Sequence, residues 1–186
     1  MTTASFRNES VPVTPWRHAR AIALLPLMNT VVVPSMLLLL TRGAPRFTSD
    51  AAVLETLAGA ALLAGGAALV AHSIRLFIRL GRGTLAPWDP TRELVDVGAY
   101  RFSRNPMKGG LFLVLAGEAL LTQSTAVTVW LACFVVVNVV YIRWHEEPGL
   151  ERRFGERYGA YCARVPRWWP SFRSLLPPAP AKEPSP

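Results

Sequence analysis

The distribution of charged residues constrains the fold of this chain more than any other feature. No Lys, Arg, Asp or Glu occurs in residues 21–41 or in residues 56–74. Residues 109–142 carry a single charge, Glu118. A helix needs about 20 residues to cross the hydrocarbon core of a bilayer, which is about 30 Å thick. Each uncharged run is therefore long enough for a membrane helix, and the chain is predicted to be an integral membrane protein.

The third run is too long for one crossing. As a single helix, its 34 residues would extend about 51 Å at 1.5 Å per residue. Four consecutive polar residues, 122–125, lie near its middle and suit a tight turn. The sequence therefore predicts a helical hairpin there. The predicted fold is all-α, with about four transmembrane helices near residues 19–41, 52–79, 107–122 and 125–144.

Composition agrees with a membrane protein. Hydrophobic residues make up 51% of the chain and charged residues 17%, against about 25% charge in a typical soluble domain. The net charge of +8 in so apolar a chain predicts contact with anionic membrane lipids and not with nucleic acid. The two cysteines, Cys133 and Cys162, lie in unlike surroundings, which argues against a disulfide framework.

Basic residues predict the orientation of the helices. If both termini lie in the cytoplasm, 18 of the 20 Lys and Arg residues are cytoplasmic, as the positive-inside rule requires. A cleaved signal peptide is the competing interpretation of the first run, but no small-x-small cleavage pattern follows Leu40. The predicted location is the cell inner membrane, with residues 1–18 on the cytoplasmic side.

The C-terminal part combines an amphipathic segment with a proline-rich tail. Apolar residues recur there at helical spacings of three and four: Leu150, Phe154, Tyr158, Tyr161 and Val165. With two tryptophans just beyond, this pattern predicts a helix lying along the cytoplasmic interface. Residues 171–186 are rich in proline and are predicted to be disordered.

Three clusters on the predicted cytoplasmic side carry groups suited to chemistry. The first is Gly81-Arg82-Gly83, directly after the second helix. Two glycines let the backbone approach a ligand closely. The same pattern also fits an ordinary helix C-terminus.

The second cluster opens the third helix. It contains Tyr100, Arg101, Arg104, Asn105 and Pro106. Two arginines and a tyrosine so close together suit a carboxylate or the mouth of a cofactor site. The alternative is a capped helix start, with Asn105 as N-cap and Pro106 in the first turn.

The third cluster is the carboxylate pair Glu146 and Glu147, at the end of the fourth helix. Adjacent carboxylates at a membrane boundary are costly to desolvate, and this cost favours a role in binding a ligand. A solvated N-terminal cap for the next helix is the alternative. The three histidines are scattered, which argues against a metal site, and no serine or cysteine nucleophile motif is present.

These clusters, in this order, resemble the membrane methyltransferases that include isoprenylcysteine carboxyl methyltransferase and phosphatidylethanolamine N-methyltransferase. The shared pattern is a GxG after a membrane helix, a YRxxRxP segment opening the next helix, and a Glu-Glu pair after a hairpin. The ending LERRFGERYGAYCARVPRWWP is also similar to the family's. The resemblance covers residues 81–170, which would form the methyltransferase core behind two transmembrane helices in residues 19–80.

The resemblance implies S-adenosylmethionine as cofactor and assigns roles to the clusters. The implied cofactor-binding residues are Gly81, Gly83, Tyr100, Arg101, Arg104, Asn105, Pro106, Glu146 and Glu147. For an amine acceptor, Glu147 is the candidate general base. For a carboxylate acceptor, Arg143 or Arg164 would orient the reacting group.

The implied acceptor is a lipidic or prenylated molecule that enters from the bilayer, so the reaction would be phospholipid N-methylation or isoprenylcysteine carboxyl O-methylation. Two positions depart from the family pattern: Asn105 replaces a common His, and Lys108 replaces a common Tyr. Lys108 favours a rival interpretation, a non-catalytic scaffold that keeps the fold. A small-thiol methyltransferase is a further alternative. Glu118 prompts a channel interpretation, but a structural pairing with Thr122 one turn later is preferred.

Overall fold

The structure is a computed structural model that describes residues 23–41, 50–80 and 93–170. Every regular element in these ranges is helical, which confirms the all-α prediction. The elements are a π-helical segment Ala23–Val32 that continues as α1 (Val33–Thr41), α2 (Asp50–Leu80), a 3₁₀ turn Gly98–Arg101, α3 (Pro106–Thr122), α4 (Thr125–Tyr141), a π-helical segment Ile142–Glu146, α5 (Glu147–Phe154) and α6 (Glu156–Arg164).

The predicted hairpin is present, and its turn lies within the four polar residues 122–125. Helix α3 ends at Thr122, and Gln123 adopts a left-handed conformation with φ 48°. Ser124 then caps α4, its side chain accepting a hydrogen bond from the amide of Val127. A short polar side chain at the N-cap satisfies one of the free amides at the helix start. Leu111 and Leu115 of α3 pack against Phe134 of α4 between the two arms.

Two of the helices are long and apolar enough to span a membrane within the described ranges. They run over residues 53–80 and 125–154, and residues 26–41 form a shorter apolar helix. Helix α3 has 17 residues, which is about 25 Å at 1.5 Å per residue. Within the described residues two helices therefore have the length of a full crossing, and the number of four transmembrane helices stays a prediction.

Helices α2 and α3 approach each other through paired glycines. A Cβ atom added to Gly66 would lie 2.6 Å from the carbonyl oxygen of Gly110, and one added to Gly117 would lie 2.6 Å from that of Gly59. The glycines are seven residues apart on each helix, so two turns separate the close contacts. Small residues are the usual means by which membrane helices bring their backbones together. This interface holds the start of α3 against the middle of α2 and the last part of α3 against the first half of α2.

Filling the glycine interface should destabilise the protein. Gly66→Ala would place a methyl group against backbone, whereas Gly65→Ala would place one where no atom lies within 4 Å. Because both changes gain the same helix propensity, their difference isolates overpacking, expected at about 1–3 kcal/mol. Equilibrium unfolding in mixed micelles measures it. Equal stabilities of the two variants would contradict the interface.

The C-terminal amphipathic segment differs in one respect from the prediction of a single helix. It forms two helices, α5 and α6, because Gly155 takes φ 50° and ψ −130° between them. The predicted apolar stripe stays together across this break. Tyr158, Tyr161 and Val165 are buried as one cluster. The other two residues of the stripe, Leu150 and Phe154, pack against this cluster, as do Leu94 and Cys162. The stripe therefore docks on the segment that precedes α3.

Candidate active site

Three stretches that are far apart in the chain meet where α3 begins and α4 ends. They are residues 100–108, residues 146–147, and α6 with the residues after it, up to Arg167. The hairpin brings the first two together, since the antiparallel helices α3 and α4 place the start of one beside the end of the other. The docked apolar stripe adds the third. The second and third of the predicted clusters are thus neighbours in space.

Glu147 is the ionic centre of this site. Its Oε1 lies 2.8 Å from Nη1 of Arg104. Arg167 binds it with two hydrogen bonds, Nε to Oε1 at 2.8 Å and Nη2 to Oε2 at 2.6 Å. The side chains of Arg104 and Glu147 are each only 14% exposed, so water screens this contact little. The hydrogen bond with Glu147 also raises the pKa of Arg167 above its usual value.

The chain around Arg167 ties the site together through its backbone. The amide of Arg104 donates to the carbonyl of Pro166 at 2.9 Å. The carbonyl of Arg167 accepts from Ser103 Oγ and Asn105 Nδ2, each at 3.2 Å. Asn105 therefore occupies the N-cap position of α3, but its side chain makes no cap hydrogen bond and binds the C-terminal segment instead.

Cys162 and Tyr161 complete the attachment of α6 to this segment. Arg104 Nη1 lies 2.8 Å from Cys162 Sγ, and the Tyr161 hydroxyl donates to the carbonyl of Tyr100 at 2.8 Å. The Tyr100 side chain is itself buried, with its ring 5.3 Å from that of Phe77 on α2. Tyr100 thus packs between α2 and α6.

The buried tyrosines give the folded protein a dependence on alkaline pH. Loss of hydration on burial raises the pKa of Tyr100, Tyr158 and Tyr161 above 10. As pH rises past 10 the unfolded chain loses these protons first, so the free energy of unfolding should fall, by up to about 1.4 kcal/mol per pH unit for each tyrosine. Unfolding measured between pH 9 and 11.5 should show this slope, reduced in Tyr161→Phe. A flat profile would contradict the burial.

The other carboxylate of the pair, Glu146, has a different partner. Its Oε2 forms an ion pair with the ammonium group of Lys108 in the first turn of α3. The same ammonium lies 5.3 Å from the ring centre of Tyr141. Glu146 and Glu147 are therefore not two solvated helix caps, since each binds a cationic side chain of a neighbouring segment.

An open groove of about 440 Å³ adjoins Glu147. Its lining is Arg143, Trp144, Glu147, Pro148 and Glu151. The groove combines one cationic group with two carboxylates, and Trp144 beside it is 76% exposed. Exposed tryptophans of this kind favour the boundary between lipid and water.

The remaining predicted residues are more dispersed. Arg101 is exposed at the end of the 3₁₀ turn, and Arg164 is exposed on α6 with its Nε directed to the carbonyl of Ala160. Pro106 is buried as the first residue of α3. Gly81 and Gly83 lie outside the described residues. The structure thus brings together Arg104, Asn105, Glu146, Glu147 and Arg143, and not Arg101 or Arg164.

Glu118 and Thr122 are hydrogen-bonded as expected, but through the backbone of Glu118 and not through its side chain. The Thr122 hydroxyl donates to the backbone carbonyl of Glu118 at 2.7 Å, not to its carboxylate. One carboxylate oxygen, Oε2, is buried without a hydrogen-bond partner among the described residues. Hydroxyls in helices commonly bond the carbonyl four residues back, and this competes with a side-chain pair.

Sequence reasoning missed Arg167 and Cys162. Arg167 supplies two of the hydrogen bonds to Glu147, although twenty residues separate them. The one sequence feature that pointed to Arg167 was the apolar stripe. The stripe ends at Val165, so its docking places the basic residue that follows, Arg167, close to the site. A stripe alone does not indicate which carboxylate that residue meets.

Comparison with known proteins identifies the family of the chain. The family model for phospholipid methyltransferases matches residues 54–157, more than half of the chain. The match runs from α2 to the start of α6, and so includes Arg104, Lys108, Glu146 and Glu147. No curated protein and no solved structure matches the chain. With two helices able to span a membrane and a family match over most of its helical core, the chain belongs to the phospholipid methyltransferase family.

Proposed function

We propose that the protein transfers a methyl group from S-adenosylmethionine to a lipidic or prenylated acceptor at the cytoplasmic face of the inner membrane. The observation that carries the proposal is the family match, because it covers α3, α4 and α5 and includes Arg104 and Glu147 of the ionic cluster. The acceptor class is supported by the location of the groove, which lies beside an exposed tryptophan at the end of a membrane helix.

The groups in the site fit the charges of this cofactor. S-adenosylmethionine carries a carboxylate, an ammonium group and a positively charged sulfur, which makes its methyl group electrophilic. A guanidinium for the carboxylate is available in Arg104, whose buried Nε has no hydrogen-bond partner among the described residues. A buried donor without a partner costs about 1–3 kcal/mol, so a ligand oxygen there is favourable. Glu146 offers a carboxylate for the ammonium group.

Within this proposal the chain mainly aligns the reactants and excludes water from them, as methyl transfer requires. Arg104 and Glu146 orient the cofactor, and Arg143 and Glu147 meet the acceptor in the groove that they line. Guanidinium groups donate two hydrogen bonds to Oε1 of Glu147 and one to Oε2. A carboxylate has about four acceptor positions, so Oε2 keeps one lone pair that can take a proton from an amine acceptor.

The test is a comparison of acceptors. A headgroup amine, a prenylcysteine and a small thiol are each supplied with and without an apolar chain to the purified protein and radiolabelled S-adenosylmethionine. The lipidic amine or the prenylcysteine should be methylated, and its chainless form should not, since each buried CH₂ contributes about 0.8 kcal/mol. Equal turnover of both forms would contradict entry from the bilayer, and preferred turnover of the thiol would favour the small-thiol alternative.

A non-catalytic scaffold is the second candidate, and the ion pair between Lys108 and Glu146 favours it. That pair occupies a carboxylate that the proposal gives to the cofactor. A protein that methylates none of the three acceptors and binds no S-adenosylmethionine would be such a scaffold.

The proposed orientation predicts how the two cysteines are labelled. Cys133 is exposed on the apolar helix α4, where lipid should cover it, and Cys162 lies in the site. An impermeant thiol reagent should label Cys162 only from the cytoplasmic side and should leave Cys133 unmodified in intact membranes. The variants Cys133→Ala and Cys162→Ala identify the labelled position. Labelling of Cys162 from the opposite side would contradict the orientation.

A further inference from the structure

The ammonium group of Lys108 lies in a small site of its own. Oε2 of Glu146 pairs with it, and the ring centre of Tyr141 lies 5.3 Å from it. The Lys108 side chain is only 16% exposed. A carboxylate on one side and an aromatic face on the other is an arrangement that recognises alkylammonium groups in general. Nothing in it is specific for lysine.

A local change in helix geometry builds this arrangement. Between α4 and α5 the chain is π-helical over Ile142–Glu146, and the amide of Glu147 bonds to the carbonyl of Ile142, five residues back. In an α-helix, residues on the same face are three or four positions apart. Tyr141 and Glu146 are five positions apart, so in an α-helix their side chains would point in different directions. The wider π turn lets these two residues, five apart, face one atom. Such π segments are frequent at functional sites.

We propose that Tyr141 and Glu146 form a binding site for the ammonium group of a ligand, and that Lys108 is an internal competitor which occupies it in this structure. The inference rests on the proposed function, because both S-adenosylmethionine and an aminophospholipid headgroup carry an ammonium group. Lys108 is suited to leave, since its four-carbon stem is flexible and its charge is readily hydrated at the membrane surface. Its partner Glu146 has a side chain that is 37% exposed, so water reaches the ion pair from that side and screens it.

The physical consequence is that removing the lysine charge should strengthen binding of ammonium ligands. Lys108→Met keeps an apolar side chain of similar length but vacates the carboxylate and the ring. Two nucleoside probes separate this effect from general changes. S-adenosylhomocysteine carries the ammonium group, whereas 5′-methylthioadenosine lacks the whole amino-acid part.

Calorimetry in dodecyl maltoside micelles tests the site. In Lys108→Met the affinity for S-adenosylhomocysteine should rise about tenfold, and that for 5′-methylthioadenosine should change less than twofold. Adding Tyr141→Leu or Glu146→Gln to this variant should remove the gain. A second arm uses dihexanoyl phosphatidylethanolamine and dihexanoyl phosphatidylglycerol. A gain seen only with the ethanolamine lipid assigns the site to the acceptor's ammonium group instead of the cofactor's.

Controls keep the result interpretable. Lys108→Arg retains a cation and should show no gain, and Arg152→Met removes an exposed charge elsewhere on the same face of the membrane in the proposed orientation. Circular dichroism and the unfolding midpoint report whether each variant is folded. Weaker or unchanged binding of both ammonium ligands in folded Lys108→Met would overturn the inference, as would an equal gain for 5′-methylthioadenosine or no binding of either ammonium ligand to any variant.

The outcome is separable from that of the proposed function. Tighter binding of an ammonium ligand without methyl transfer would support the site and reject the enzyme. Methyl transfer with the same affinities in the parent protein and Lys108→Met would support the enzyme and reject the site.

Discussion

Replacing Glu147 with glutamine should loosen the attachment of the C-terminal segment and cost about 3 kcal/mol of stability. The substitution leaves Arg104 and Arg167 close together without the carboxylate that both of them bind. Removing one partner from a largely buried ion pair commonly costs about 3–5 kcal/mol, because the remaining charge is left desolvated. The lower end applies here, since Arg167 is 26% exposed. Unfolding of the solubilised protein measures the loss.

Glu151→Gln is the matched control. Glu151 lines the same groove, but its side chain is exposed, and surface changes of this kind are usually within about 0.5 kcal/mol. The rate of proteolysis after residue 160 gives an independent reading of whether the segment has detached. Equal stability of Glu147→Gln and Glu151→Gln would mean that the cluster does not hold the site together.

Replacing Arg104 should have the largest effect on cofactor binding. Arg104→Gln removes the guanidinium that carries the unpartnered Nε, and the loss of one charge-assisted hydrogen bond should weaken binding of S-adenosylmethionine about ten- to a hundredfold. Arg101→Gln should have the smaller effect, because Arg101 is exposed. The comparison by calorimetry thus ranks two arginines that the sequence does not distinguish.

Two further variants complete the Arg104 comparison. Arg104→Lys keeps the positive charge but not the planar fork, so an intermediate affinity is expected. Arg152→Gln removes an exposed charge from α5 and should bind the cofactor like the parent. A larger loss in Arg101→Gln than in Arg104→Gln would mean that Arg104 is only a structural partner of Glu147.

The helical membrane fold could be predicted from the sequence because the bilayer restricts which backbone structures can cross it. Backbone groups in a bilayer must be bonded internally, so long uncharged runs can only be helices there. The hairpin followed from the length of its run and from polar residues at its middle, and the structure places its turn at Gln123 and Ser124. The hydrophobicity and polarity of neighbouring residues determine these helices and this turn, and both properties can be read directly from the sequence.

Only part of the site could be predicted from the sequence, because its contacts join residues that are far apart in the chain. Glu147 and Arg104 were recognised as candidates, but their partner Arg167 was not, since three segments must dock before the charges meet. The position of Lys108 beside Glu146 depends on the π-helical segment Ile142–Glu146. No pattern of residues in the sequence predicts such a segment. The Gly66 contact was also missed, because a glycine at a helix interface and an exposed one, such as Gly65, look alike in a sequence.

Binding of S-adenosylmethionine to the purified protein tests the central claim most directly. Calorimetry in dodecyl maltoside micelles should show saturable binding of one molecule per chain, displaced by S-adenosylhomocysteine and not by ATP. The affinity should fall in Arg104→Gln. Saturable binding with this competition is the result expected of a membrane methyltransferase, and a folded protein that binds neither S-adenosylmethionine nor S-adenosylhomocysteine would contradict it.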